Sequence, residues 1–493
     1  MGKGLAVIAW VIAFVVATWA LRGVAWAPPA LGSPEAFAAL ARPFTPRVPG
    51  GGGELDRVAG SGAGESPAEL EALVELPAAQ PAPGASAPGA DALPSFADFL
   101  ASLGALERGL RDKVRVAHLG DSELVGDGVS SALRDALSER FGSGGLGFSL
   151  AMSPFAWYAR RGWEHREGRG FEARSFVFAR PGEHGFGPGG VGFVAQGFGA
   201  SAHVRLLGPG EIAPLVNGPA VPSPVGEPCT LGFHYWAEPG LGAAVLRLDG
   251  VEAARISFAA ERAGSAVERL HVASCPRKLE VETTGKGPHR VFGWSVERDT
   301  PGIVWSSLGM ISARLVHLEN YGDEALAGAL AGLEPDLLVV TYCLNFNEHG
   351  LPRDFVATAT HALARLRAAA PRAACLVTGP YPVGPPATEH VDLPLREVVE
   401  ALDRAQREAA LAVGCAYVDR IRLAGGIDAV KRWTAVRPAL LSGDYRHLTP
   451  EGAERMGRAL ARVILGELDG HGAPGAADPG LEARRPRRPP AGD

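Results

Sequence analysis

The hydrophobic pattern constrains this chain more than its composition does. Runs of β type alternate with helical periodicity, and the alternation is broken once by a long stretch with no helical pattern. The first unit is a strand over Val114–Leu119 followed by a helix over Val129–Phe141, where Leu133, Leu137 and Phe141 recur at helical spacing. From about 150 to 300 only short alternating runs occur, such as Ala244–Leu248, Ala254–Phe258, Leu279–Thr283 and Arg290–Val296, separated by turn residues. After Pro301 the pattern resumes, with strands expected at Ile303–Ser307, Asp336–Tyr342, Ala374–Thr378 and Ala416–Asp419. Helices are expected at Asp323–Leu330, Asp354–Ala369, Leu393–Ala412 and Pro450–Leu465, the last capped by Thr449. Five strands alternating with helices predict an α/β fold: a doubly wound five-stranded parallel sheet, split after its first unit by an inserted all-β sandwich. Functional residues of such a sheet collect at the carboxyl ends of its strands.

The ends of the chain cannot build a core. Residues 28–93 and 469–493 are crowded with Ala, Pro and Gly and read as a disordered tether and tail. Ahead of the tether, Gly4–Leu21 is an uncharged apolar run of 18 residues, just long enough to span a bilayer core of about 30 Å. The segment 1–27 is therefore expected to be a membrane anchor or a signal peptide. Ala25-Trp26-Ala27 resembles a cleavage site, but Pro28 directly after it disfavours the cut and favours an uncleaved anchor in the inner membrane. The expected organisation is an α/β domain over 94–150 and 301–468, an insertion over 151–300, and a periplasmic or extracytoplasmic location on a flexible stalk.

Charge excludes one class of partner. With 48 basic and 54 acidic residues the net charge is −6 and no basic stripe exists, so nucleic acid is not an expected partner. Two stretches fit G-x-G-x-x-G, Gly142–Gly147 and Gly185–Gly190, but neither follows a strand and opens a helix. No metal-binding or nucleotide-binding motif occurs, so no cofactor is expected. Of five cysteines, Cys229 and Cys275 share one region and could pair in an oxidising compartment, whereas Cys343, Cys375 and Cys415 read as small buried residues.

The first strand ends in Gly120-Asp121-Ser122, which puts a hydroxyl at the top of the sheet ahead of a helix. A serine nucleophile needs a base. Among the histidines, His447 has an aspartate three positions earlier, in Asp444-Tyr445-Arg446-His447, on the loop before the last helix. One short loop can thus offer His447 to take the proton and Asp444 to fix the imidazole. Asn345, after the third strand, could donate its amide to an oxyanion.

In these motifs the chain resembles the SGNH (GDSL-like) hydrolases, and within them bacterial peptidoglycan O-acetylesterases with an inserted β-sandwich like a carbohydrate-binding module. The resemblance covers roughly 94–468. It is carried by His118-Leu119-Gly120-Asp121-Ser122, the glycine-rich Arg140–Phe148, the Gly302–Gly309 run, the Asp336–Asn345 strand and Asp444-x-x-His447. It implies a serine esterase acting on acetylated polysaccharide or peptidoglycan, with Ser122 as nucleophile, His447 as base and Asp444 as its partner. Implied oxyanion donors are the Ser122 amide, a block-two backbone amide (Gly309 or Ser312) and Asn345. An O-acetyltransferase using the same site, or an impaired polysaccharide-binding protein, are the alternative functions.

Three departures and one aromatic cluster bear on that choice. Ser312 stands where the family has the second glycine of block two, and would lose a donor only if that position needs a positive φ. Block three reads Tyr342-Cys343-Leu344-Asn345-Phe346-Asn347-Glu348; an ungapped count selects Asn345, a two-residue bulge selects Asn347-Glu348, and Cys343 fills a glycine position. Glu123 follows the nucleophile, where its carboxylate could repel an oxyanion or point to solvent. Phe155, Trp157, Tyr158 and Trp163 could form a stacking platform for sugar rings or a loop packed on the core.

Overall fold

A computed structural model describes residues 74–75, 93–179, 185–212, 220–285, 288–346, 350–384 and 393–472. The apolar Gly4–Leu21 segment and the tail beyond 472 lie outside them. The strands that matter here are β1 (Lys113–Gly120), β2 (Ser143–Leu150), β3 (His289–Arg298), β4 (Gly302–Gly309), β5 (Leu337–Thr341), β6 (Ala374–Thr378) and β7 (Ala416–Val418). The helices are α1 (Phe96–Glu107), α2 (Gly128–Phe141), α3 (Asp323–Ala331), α4 (Phe355–Ala369), α5 (Leu393–Ala412), α6 (Arg420–Leu423), α7 (Ala429–Ala435) and α8 (Pro450–Gly472).

The five expected strands form a parallel sheet in the spatial order β4-β1-β5-β6-β7. Successive residues of β1 and β5 serve opposite faces. Val114, Val116, Leu337 and Val339 pack with α1, α2 and α8, while Ala117, Leu119, Leu338 and Val340 pack with α4 and the insertion. Burial on both faces is why these strands read as continuous apolar runs rather than as alternating ones.

The insertion is not a separate body laid on this sheet. Ser143–Leu150, a glycine-rich run with no strand pattern, is strand β2; it pairs parallel with β4 at Ser143 and Gly145 and antiparallel with β3. Through β3 the sheet continues into the insertion strands Cys229–Ala237, Gly264–Val272, Val191–Ala195 and Glu172–Ser175. The expected five-stranded sheet is thus the core of a twelve-stranded one. Glycine permits the join: Gly147 has φ 68°, and a Cβ there would lie 2.3 Å from the Trp305 carbonyl oxygen. A second sheet of five strands, Val251–Ser257, Ala243–Leu248, Lys278–Thr284, Ser201–Leu206 and Trp163–His165, completes the sandwich. It carries ion pairs of Arg205 with Glu164 and Glu211, Arg277 with Glu211 and Arg247 with Glu282.

Three further expectations are corrected. Cys375 and Cys415 form a disulfide, because β6 and β7 pair Leu376 with Ala416 and so set the two preceding residues side by side, 4.6 Å apart at Cα. Sequence shows spacing but not register, which is why that pair looked like two small core residues. Cys229 and Cys275 are also joined. Within the stretch read as tether, Val74–Glu75 pairs antiparallel with the otherwise open edge of β7. Finally, α8 runs to Gly472 rather than Leu465, with Glu467 buried and Asp469 bound to Arg140 at 2.8 Å.

Candidate active site

Neighbouring parallel strands β1 and β5 feed the crevice where a doubly wound sheet of this order reverses direction. Ser122 opens a short 3₁₀ turn, Ser122–Leu124, directly after β1. Asp121 locks this turn to the loop after β5. Its buried carboxylate accepts from the amides of Cys343 (2.8 Å), Leu344 (2.7 Å) and Glu123 (3.1 Å). Burial and then the Glu123 charge push its carboxyl up to about 6, against the pull of those amides. Gly309, last residue of β4, is pressed against the same turn: a Cβ there would lie 2.5 Å from Leu124 Cβ and 3.0 Å from the Asp121 carbonyl oxygen. No larger residue fits without moving the serine.

The loop before α8 supplies the other two groups. Its ends are drawn together by a bridge between Leu441 and Leu448 and by the Ser442 amide donating to the His447 carbonyl at 2.8 Å. Tyr381 Oη donates to the Arg446 carbonyl at 2.8 Å, and Arg446 Nη1 donates to the Leu344 carbonyl at 3.0 Å, which ties this loop to the one after β5. His447 Nε2 then stands 2.9 Å from Ser122 Oγ, and its Nδ1 stands 2.6 Å from Asp444 Oδ2. The other oxygen, Asp444 Oδ1, accepts from the His447 and Arg446 amides at 3.0 Å each and from Ser442 Oγ at 3.1 Å. Burial acts to raise the Asp444 carboxyl, but the His447 ring and the two amides outweigh it and hold it near 2. The pair remains about half exposed, so the site is open to solvent.

Asn345 Nδ2 donates to the Ala313 carbonyl at 3.1 Å, which anchors its amide beside block two. Asn347 and Glu348 lie outside the described residues. Ser312 itself adopts φ 59°, the left-handed conformation that favours glycine. Its backbone therefore keeps the glycine-like geometry, at a cost of about 1–2 kcal/mol. Ser312→Gly should accordingly raise unfolding stability by roughly 0.5–1 kcal/mol with little change in activity, read from a denaturant midpoint; a loss of stability would show that the hydroxyl has a role of its own.

Glu123 does neither of the things expected of it. Its side chain is buried against Arg420, which is fully buried, with contacts of 2.6 and 3.1 Å. Arg420 Nη2 also meets Cys343 Sγ at 2.9 Å, its Nε donates to the Gly379 carbonyl at 2.5 Å, and the guanidinium lies 5.0 Å from the Tyr381 ring centre. Burial pushes the Cys343 thiol far up, so it carries no thiolate to serve as a nucleophile. Neither Arg420 nor the role of Asp121 has a local signal in the sequence, because Glu123 lies more than 200 residues from Arg420, and the Cys343 and Leu344 amides as far from Asp121. His118 is buried and neutral, pushed down to about 3 by burial and then by Arg420 and Arg160, between Thr341 Oγ1 (2.9 Å) and Ser130 Oγ (3.1 Å). Of the four aromatics, Tyr158 and Trp163 belong to the core and Phe155 is partly buried; Trp157 stands 61% exposed, its ring 5.7 Å from that of Phe155. Among the described residues no cluster of acidic, histidine or cysteine side chains could hold a metal ion.

A serine after the first strand, a histidine and an aspartate on the loop before the last helix, and an asparagine after the third strand thus stand at one end of a sheet with the SGNH-like arrangement. Residues 284–455 match the model of the GDSL-like Lipase/Acylhydrolase family. The matched segment holds Asn345, Asp444 and His447 and begins after Ser122. Among solved structures, a peptidoglycan O-acetylesterase is similar over 77% of this chain and 99% of its own, at 18% identity and a TM-score of 0.61. This is a likeness of fold that includes the insertion. A lipase/acylhydrolase from Enterococcus faecalis aligns over 34% of this chain and 77% of its own (18% identity, TM-score 0.24). A family 35 carbohydrate-binding module from Paenibacillus barcinonensis aligns over 30% and 96% (12% identity, TM-score 0.19). No curated protein matches the sequence.

Proposed function

We propose that the protein is a serine esterase that removes O-acetyl groups from an extracytoplasmic polysaccharide, peptidoglycan being the leading candidate. The observation that carries this reading is the unbroken chain from Ser122 Oγ to His447 to Asp444, at 2.9 and 2.6 Å. In this mechanism His447 Nε2 takes the Ser122 proton as Oγ attacks the ester carbonyl. The oxyanion is met by the Ser122 and Ser312 amides and the Asn345 side chain, and His447 returns the proton to the departing sugar hydroxyl. Water, deprotonated by the same ring, then releases acetate and free serine. Asp444 stays ionised throughout and holds the ring's tautomer.

The half-exposed histidine supports a polymeric substrate, because a sugar chain can lie across an open site without threading into it. The likeness to a peptidoglycan O-acetylesterase supports the same reading. The two disulfides support an oxidising compartment, and with the apolar Gly4–Leu21 segment they support a periplasmic protein anchored in the inner membrane. Catalytic impairment loses its main support, since Glu123 and Cys343 are spent on Arg420 and Ser312 retains the glycine-like backbone.

A fluorophosphonate probe should label Ser122, and an aryl acetate should be hydrolysed with a burst; a folded protein that does neither sinks the reading. Trp157 offers a flat face for a sugar ring. Trp157→Ala is expected to raise KM on acetylated polymer about 5–20-fold, the loss of roughly 1–2 kcal/mol of stacking, while aryl acetate turnover stays unchanged. An equal effect on both substrates would place Trp157 in the fold rather than in polymer binding.

A further inference from the structure

Arg160 belongs to the insertion, yet among the described residues its guanidinium hydrogen-bonds to the catalytic domain and to its own loop. The side chain is 3% exposed. Its Nη1 donates to the carbonyls of Val125 (2.7 Å), Ala159 (2.8 Å) and Leu124 (3.1 Å), and its Nε donates to the Ser307 carbonyl of β4 (3.1 Å). The ring of Tyr158 lies 4.5 Å beneath it. Two backbone contacts continue the grip: the Ala159 amide donates to the Val125 carbonyl at 3.4 Å, and the Arg161 amide donates to Asp127 Oδ2 at 3.0 Å. Arg161 also pairs with Asp135 of α2.

Leu124 and Val125 form the far end of the turn that Ser122 opens. The Val125 amide donates to the Ser122 carbonyl at 3.2 Å, and the Leu124 amide donates to the Asp121 carbonyl at 3.2 Å. One rigid cation therefore bonds both carbonyls that leave this turn and fastens them to β4. The Leu124 carbonyl also accepts from the Asp127 amide at 3.1 Å and from Ser307 Oγ at 3.4 Å, and the Val125 carbonyl from the Ala159 amide, so the arginine adds to these local bonds the charged ones that tie the turn's exit to the insertion and to β4.

We propose that Arg160 is a positioning residue for the nucleophile, so that the insertion completes the catalytic domain as well as decorating it. This rests on the reading of Ser122 as nucleophile. A planar guanidinium reaches several carbonyls in fixed directions, whereas a lysine ammonium provides a point charge on a flexible stem. Loosening the turn misplaces Ser122 Oγ relative to His447 without touching the substrate's binding surface.

The test uses the full chain with Arg160→Lys and Arg160→Ala, the lysine variant serving alone where the alanine variant does not fold. In Arg160→Lys, kcat on an aryl acetate and the rate of fluorophosphonate labelling are expected to fall together by about 10–100-fold, with KM within about twofold and the pH profile unchanged in shape. Added guanidinium ion should restore part of the activity of Arg160→Ala, and ammonium ion should not. Variants that melt lower but keep the wild-type kcat and labelling rate would overturn the proposal, as would a rise in KM at constant kcat. Failure of the wild type to label would overturn the serine reading itself, and this inference with it.

Discussion

Ser122→Ala should lower kcat on an aryl acetate by about 10⁴–10⁶-fold while leaving the melting temperature within a few degrees of wild type. His447→Ala should do nearly the same, and the double variant should be no worse than either alone. The reason is geometric. Ser122 Oγ and His447 Nε2 share one hydrogen bond of 2.9 Å, so each is useless to the reaction without the other. Once the nucleophile or the base is gone, what remains is binding and whatever the oxyanion donors give to attack by water, and that residue is common to all three variants. Independent losses that multiply in the double variant would show that the two groups do not act as a unit. Asp444 gives a further check through pH. Its carboxyl is held near 2, below the ordinary 3.8, so its contribution to holding the ring is complete above about pH 4 and disappears only as pH falls through about 2. Loss of activity at mildly acid pH therefore reports another group, and Asp444→Asn should reduce kcat across the whole range above about pH 4. The exposure of the pair means that salt screens it, and its value lies in orienting the imidazole rather than in stability.

The sequence made the parallel sheet legible because its strands, buried on both faces, are uninterrupted apolar runs and its helices show clean 3.6-residue spacing. Ser122, His447 and Asp444 were legible for a related reason: each sits at a strand end or loop that the sheet's topology brings to one crevice. What stayed hidden depends on pairing between distant segments. The Cys375–Cys415 bond needs the β6–β7 register. Strand β2 is invisible to hydrophobic patterning, since its glycines are there to let Trp305 and Val296 come close. Glu123 could be read as a threat to the oxyanion only while its partner, 297 residues away, was unknown. Ser312 shows the converse: residue identity suggested a lost donor, and the backbone conformation shows the glycine-like geometry retained by a serine.

Arg420→Leu should destabilise the protein by about 3–5 kcal/mol, because it leaves the Glu123 carboxylate buried without its cation. Neither partner has access to solvent, with side-chain exposures of 0% and 1%, so no water can take over. The same cation also holds the Gly379 carbonyl and the Cys343 sulfur. Its loss frees three loops at once: the serine turn, the loop after β5 that carries Asn345, and the loop after β6. Activity should therefore fall in the part of the population that remains folded, a result that distinguishes this pair from an ion pair that only adds stability. Glu123→Leu combined with Arg420→Leu removes both charges together and should recover most of the stability, since burying a matched pair costs nearly as much in desolvation as its attraction returns. It should not recover the activity, because Gly379 and Cys343 would still lack their donor. Denaturant midpoints for the two single variants and the double variant, with kcat measured alongside, separate the charge effect from the positioning effect. Single variants within 1 kcal/mol of wild type, or a double variant as unstable as the sum of the singles, would mean that the buried pair does not hold the crevice together.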